Sequence, residues 1–147
     1  MNLTMIQRIM GLLLMVFSFS MLPPVGVGWL LGDIEFSPFI HGFLIVLTIG
    51  FLLWFPVRKV QRELRLRDGF IIAVLFWISL SAAATVPLLL SDALDLDLAS
   101  AVFETVSGFT TSGGTVITGL EGLPRSILFY RVELHWLGGM GVLVLAV

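Results

Sequence analysis

Apolar residues fall into blocks at 10–31, 38–56, 69–90 and 134–147, and the short stretches between them hold nearly all of the charge. Each of the first three blocks lies within the ~17–25 residues that carry a helix across a hydrocarbon core of ~30 Å at ~1.5 Å per residue. Three membrane spans are therefore predicted. Arg8 precedes the first block, and Gly32, Asp33 and Glu35 follow it; Pro23 and Pro24 predict a kink in its outer part. A cleaved signal peptide is the competing reading of this block, but the run exceeds a usual ~7–15-residue core and no small-x-small site precedes the charges. His41 and Trp54 lie near the two ends of the second block, Trp54 where an aromatic ring suits the membrane interface.

Between the third and last blocks the pattern changes. Leu98, Val102, Phe103 and Val106 recur near helical spacing, Asp97 offers an N-cap, and Gly108 predicts a stop after about three turns. Such a helix rises only ~16 Å, about half the hydrocarbon core. The residues that follow, Thr110, Thr111, Ser112, Gly113 and Gly114, are too rich in glycine and hydroxyls to extend it, and no charge occurs at 105–120. Lipid does not tolerate bare backbone, so the economical prediction is a half-helix that enters, turns, and returns as extended chain inside protein.

Composition fixes the environment. Hydrophobic residues make up 58% and charged residues 12% of the 147, with mean hydropathy +1.07, which excludes an ordinary soluble domain. The absence of cysteine excludes a disulfide framework, a thiolate metal site and a cysteine nucleophile. The net charge of -2 matters less than its placement. Arg58, Lys59, Arg62, Arg65 and Arg67, five of the eight Lys and Arg residues, lie at 57–68, whereas 91–98 holds Asp92, Asp95 and Asp97 with no basic residue. By the positive-inside rule the basic loop faces the cytoplasm, the acidic loops face outward, and the N-terminus is inside. The basic loop reads as orientation charge, and no further basic patch suggests a nucleic-acid partner.

A Thr/Ser/Gly turn can aim its carbonyl oxygens at one axis and replace an ion's hydration shell, as potassium filters do. The half-helix would point the negative end of its dipole at the bilayer midplane, which favours a cation. Thr111 adds a hydroxyl oxygen, and Gly113 and Gly114 admit backbone angles closed to other residues. On composition alone, a connecting outer loop competes with this reading. Glu104 on the half-helix and Arg131 on the last span are predicted to pair as a structural brace, and Arg125 after Pro124 reads as an interface anchor at a helix start. Ser112 with His135 invites an intramembrane hydrolase reading that no spacing supports; His135, beside Trp136, and His41 read as packed or interfacial residues. Gly138, Gly139 and Gly141 predict close approach of a neighbouring helix.

The stretch Phe103-Glu-Thr-Val-Ser-Gly-Phe-Thr-Thr-Ser-Gly-Gly-Thr-Val, with Leu123-Pro-Arg-Ser-Ile-Leu-Phe-Tyr-Arg and Leu134-His-Trp-Leu-Gly-Gly-Met-Gly, resembles the Trk/Ktr family of potassium uptake proteins, in the amino-terminal part of its TrkH and TrkG type. The resemblance is close over most of 103–147, and at 1–90 it lies mainly in the pattern of spans. It implies an all-α membrane protein with one re-entrant pore half-helix and filter loop, the first of four span-pore-span repeats around a potassium path. Residues 1–68 would hold two N-terminal transmembrane helices and the basic cytoplasmic loop, and 69–147 the first pore repeat with an incomplete second span. Gly113 matches the glycine shared by the family's filters, and Thr110, Thr111, Ser112, Gly113 and Gly114 would bind potassium. Gly114 and Thr115 stand where a potassium channel's filter has an aromatic residue and a last glycine, a departure that bears on discrimination against sodium.

The resemblance further implies potassium uptake without enzymatic activity or cofactor, in the bacterial inner membrane, by a homodimer working with a cytoplasmic nucleotide-binding regulatory subunit. The apolar tail 134–147 rises only ~21 Å, which with the resemblance predicts a fragment that does not transport alone. The alternatives are a non-transporting membrane module and, less favoured, an intramembrane hydrolase.

Overall fold

The computed structural model describes residues 3–60 and 65–146, and all regular structure in them is helical. The first apolar block begins earlier than its hydropathy suggests. Helix α1 covers Leu3–Ser18, a 3-10 turn covers Phe19–Met21, and α2 covers Leu22–Leu31. Pro23 and Pro24 stand in the first turn of α2, where missing N–H groups cost nothing, so the expected kink takes the form of a restart after a 3-10 turn. Gly32, at φ 73°, ends α2 in the left-handed region with its N–H on the Gly28 carbonyl.

Helix α3 is Ser37–Trp54, and α4 is Leu66–Leu89. Three stretches are long and apolar enough to cross a membrane: Leu3–Leu31, Ser37–Val57 and Arg67–Leu89. The basic loop is only partly in view, since Arg62 lies outside the described residues. Helix α1 packs along α3. A Cβ on Gly11 would lie 2.8 Å from the Gly50 carbonyl oxygen, and one on Gly50 would lie 2.9 Å from that of Gly11. The two backbones touch, which is how helices gain packing contacts where lipid gives no hydrophobic drive.

Helix α5, Leu98–Phe109, is the short one at 12 residues, rising ~18 Å. Asp97 caps it as expected, accepting from the Ser100 N–H at 3.3 Å, and hydrogen bonds from the Ser100 side chain and backbone hold its carboxyl below the usual value. Helix α6 runs from Arg125 to Ala146, 22 residues. It starts at Arg125 after Pro124, as the sequence predicts, and Arg131 and Glu133 lie within it.

Charge separates along the molecule. At one end the Asp33 carboxylate accepts from the Ser126 N–H at 2.7 Å, capping α6, while Glu35 accepts from the N–H groups of Asp92 (2.6 Å) and Ala93 (3.1 Å). At the other end Gln7 donates to the Leu53 carbonyl at 3.0 Å, Arg8 reaches the Val60 carbonyl, and Arg58 stacks over Phe55. The core between them gathers Met21, Phe39, Leu88, Phe109, Ile127, Tyr130 and Leu134. Tyr130 meets Phe39 edge-on at 5.0 Å and donates to the Ala84 carbonyl at 3.0 Å.

Candidate functional site

The tip of α5 is anchored on three sides. Phe109 is buried, its ring 5.7 Å from that of Phe17 on α1 and 6.2 Å from that of Trp77 on α4. On the third side α6 presents Gly138, where a Cβ would stand 2.1 Å from the Phe109 carbonyl oxygen. Higher on α5, the Thr105 hydroxyl shares a 2.9 Å hydrogen bond with Thr85 of α4. The half-helix is therefore fixed in depth and rotation before the turn begins.

Gly108 does not stop α5, contrary to the sequence reading; the helix runs through it to Phe109. Gly108 is instead a contact point, since a Cβ there would lie 3.1 Å from that of Leu134. The terminator is Thr111, at φ 57°. The Thr111 N–H bonds to Gly108 O at 3.0 Å and the Ser112 N–H to Ser107 O at 3.1 Å, the paired closure of a Schellman motif. Thr110 donates to Val106 O from both its N–H and its hydroxyl, each at 2.8 Å.

These bonds aim the carbonyls. A trans peptide is planar, so an N–H directed back at α5 sends the preceding C=O the opposite way. The carbonyls of Phe109, Thr110 and Thr111 thus point off the helix tip. That of Phe109 lies under Gly138, whereas Thr110 and Thr111 are exposed. Gly113 follows at φ 77°, with nothing within 4 Å of the place a Cβ would take, so its backbone angle rather than crowding calls for glycine.

The chain then returns along its own half-helix. Ser107 Oγ donates to the Gly114 carbonyl at 2.6 Å, and Glu104 Oε1 accepts from the Thr115 hydroxyl (2.5 Å), the Val116 N–H (2.6 Å) and the Ile117 N–H (3.3 Å). Residue 114 lies beside 107 and 116 beside 104, which is an antiparallel re-entry. Residues 110–116 are exposed on their outer face. Glu104 Oε2 meets Arg131 at 3.2 Å, with the two side chains 3% and 16% exposed, so the expected brace exists and also grips the returning strand. The sequence reading missed that second role, and missed Ser107 altogether. The signals were faint: a carboxylate and a hydroxyl three residues apart on the inner face of a half-helix.

Ser112 and His135 have separate partners. Ser112 Oγ lies 3.0 Å from Ser107 Oγ, and His135 Nδ1 lies 2.8 Å from the Arg131 carbonyl oxygen. Among the described residues no hydrogen bond joins them, and no group of three metal-ligating side chains occurs.

Comparison with known proteins gives a consistent picture. Residues 36–147 match the TrkH family, described as cation transport protein. The chain is 50% identical over all 147 residues to the Trk system potassium uptake protein TrkH of Halomonas elongata, covering 30% of that protein. It is 45% identical over 142 residues to the TrkH of Escherichia coli K12, covering 97% of this chain and 29% of that protein. The crystal structure of the potassium transporter TrkH from Vibrio parahaemolyticus superposes with a TM-score of 0.95 at 47% identity, covering 99% of this chain and 31% of that one. The chain thus spans about 30% of the length of the curated relatives it matches.

Proposed function

The chain belongs to the TrkH family of cation transport proteins, and on that footing we propose that its turn at 110–114 is one wall of a potassium path, with Thr110, Thr111, Ser112, Gly113 and Gly114 as the residues that build it. One observation carries the reading: a half-helix whose chain returns antiparallel to it, held from behind by Ser107 and Glu104, with the Thr110 and Thr111 carbonyls pointing off its tip. Fixed carbonyl oxygens on an uncharged turn can replace water around a dehydrated cation without binding it too tightly to leave. The wall is one-sided. An ion needs oxygens from all around, so the remaining walls come from further repeats of the same kind, and residues 69–147 act as one repeat behind the two helices of 1–68.

The proposal extends to a bacterial inner membrane with the N-terminus in the cytoplasm. Arg8, Arg58 and Lys59 gather at one end and Asp33, Glu35 and Asp92 at the other, which suits the positive-inside rule. It also includes the homodimer and the cytoplasmic nucleotide-binding regulatory subunit that the family resemblance implies.

The test is Gly113→Asp in the protein expressed from its complete gene, in a cell deficient in potassium uptake. Growth at low potassium is expected to be lost at equal membrane abundance. Growth equal to wild type would remove the turn from the path.

A further inference from the structure

We infer that Ser107 is a specificity-positioning residue: its buried hydroxyl turns the Gly114 carbonyl inward against α5 and withholds that oxygen from a passing cation. This rests on the filter reading of the turn and divides its five residues into two classes. Thr110 and Thr111 send their carbonyls off the helix tip, because their neighbours' N–H groups are tied to α5. Gly114 sends its carbonyl the other way, onto Ser107 Oγ at 2.6 Å.

The direction of the bond is set by proton count. A serine hydroxyl carries one hydrogen, and a carbonyl can only accept. The Ser107 proton is therefore committed to Gly114, and in the 3.0 Å contact between the two serines the Ser112 hydroxyl must donate. Ser112 is held inward by that bond, while the Thr110 hydroxyl spends its proton on the Val106 carbonyl. The result is a short relay, Ser112 to Ser107 to Gly114, running along the back of the turn. Ser107 is 4% exposed, so its hydroxyl faces these partners rather than solvent. The backbone at 114 lies against α5, where a Cβ would stand 3.3 Å from the Phe103 ring and 3.6 Å from Ser107 Oγ. Glycine there permits the close approach that the hydrogen bond needs.

The consequence is a limit on coordination. The number and mobility of carbonyls facing an ion help to decide how well a site tells potassium from the smaller sodium. A carbonyl freed at 114 would be an extra, mobile oxygen able to follow a smaller ion inward. Holding it back keeps the set fixed at the spacing potassium prefers.

The experiment measures the ratio of potassium to sodium uptake by the protein expressed from its complete gene, normalised to membrane abundance, for Ser107→Ala, Ser107→Thr and Ser107→Cys. With Ser107→Ala the ratio is expected to fall about three- to tenfold, the span that one hydrogen bond of ordinary net strength covers. Ser107→Thr keeps the hydroxyl and should restore the ratio to within about twofold of wild type, while Ser107→Cys, a weaker donor, should fall between. If Ser107→Ala does not reach the membrane, the cysteine variant decides by the same ratio. A wild-type ratio for the alanine or cysteine variant, or a loss for threonine equal to that for alanine, would overturn the inference. Gly113→Asp in the same assay separates the two readings. Uptake lost there with an unchanged ratio at position 107 sinks only the relay, whereas uptake kept there sinks the filter itself.

Discussion

Thr111 is the residue that least fits its place. A β-branched side chain at φ 57° sits in the left-handed region at a cost of ~1–2 kcal/mol, and strain of this kind concentrates where function over-determines the backbone. Thr111→Gly removes that cost but loosens the unfolded chain by ~0.4–1 kcal/mol. The strain term is the larger, so the variant should be more stable by about 1 kcal/mol, read as a higher thermal midpoint in detergent; a lower midpoint would show that Thr111 is held by contacts rather than forced. Single-residue roles were legible here only where one physical demand dominates. Gly113 and Gly114 were both read as glycines needed for their backbone angles; Gly113 stands at φ 77°, whereas Gly114 has no positive φ and is a close approach to Phe103 instead. Gly108 was misread as a helix stop, since a glycine needed for closeness to Leu134 looks the same in a sequence as one needed for its angle. Thr111 passed unnoticed as a helix terminator because β-branched residues ordinarily signal extended chain.

Among the elements, the seat of α5 on α6 decides where the turn lies. A Cβ at Gly138 would overlap the Phe109 carbonyl, whereas one at Gly139 would meet only Thr111 Cγ2 at an ordinary 3.8 Å. Gly138→Ala should therefore push α6 off the half-helix and cost about 1–3 kcal/mol, while Gly139→Ala stays within about 0.5 kcal/mol of wild type. Thermal unfolding of the pair checks this, and equal midpoints would contradict the contact. Span number and limits were readable because bilayer thickness dictates length: α3 and α4 start and end within three residues of their apolar blocks. The glycine stripe of α6 was also readable as a contact face. Which glycine bears the contact was not, because that depends on the rotation of a helix far away in sequence.

At the scale of the whole molecule, Glu104 ties α5, the returning strand and α6 to one carboxylate. Removing its charge leaves Arg131 half-sheltered without a counter-ion, so Glu104→Gln should cost about 3 kcal/mol, at the lower end for a broken buried pair. The double variant Glu104→Gln, Arg131→Met should cost clearly less than the sum of the singles in a thermodynamic cycle; strict additivity would mean the pair is not coupled. The pairing itself was legible from the sequence, since an unpaired charge in lipid is costly. The clasp that Asp33 and Glu35 make at the far end was not, because acidic loops read as mutually repelling until their backbone N–H partners are seen. That clasp has a mechanical corollary. With its first turn pinned at Ser126, its middle tied at Tyr130 and Arg131, and Gly138 seated on Phe109, α6 is fastened along most of its length, so any shift of this helix has to carry the half-helix with it.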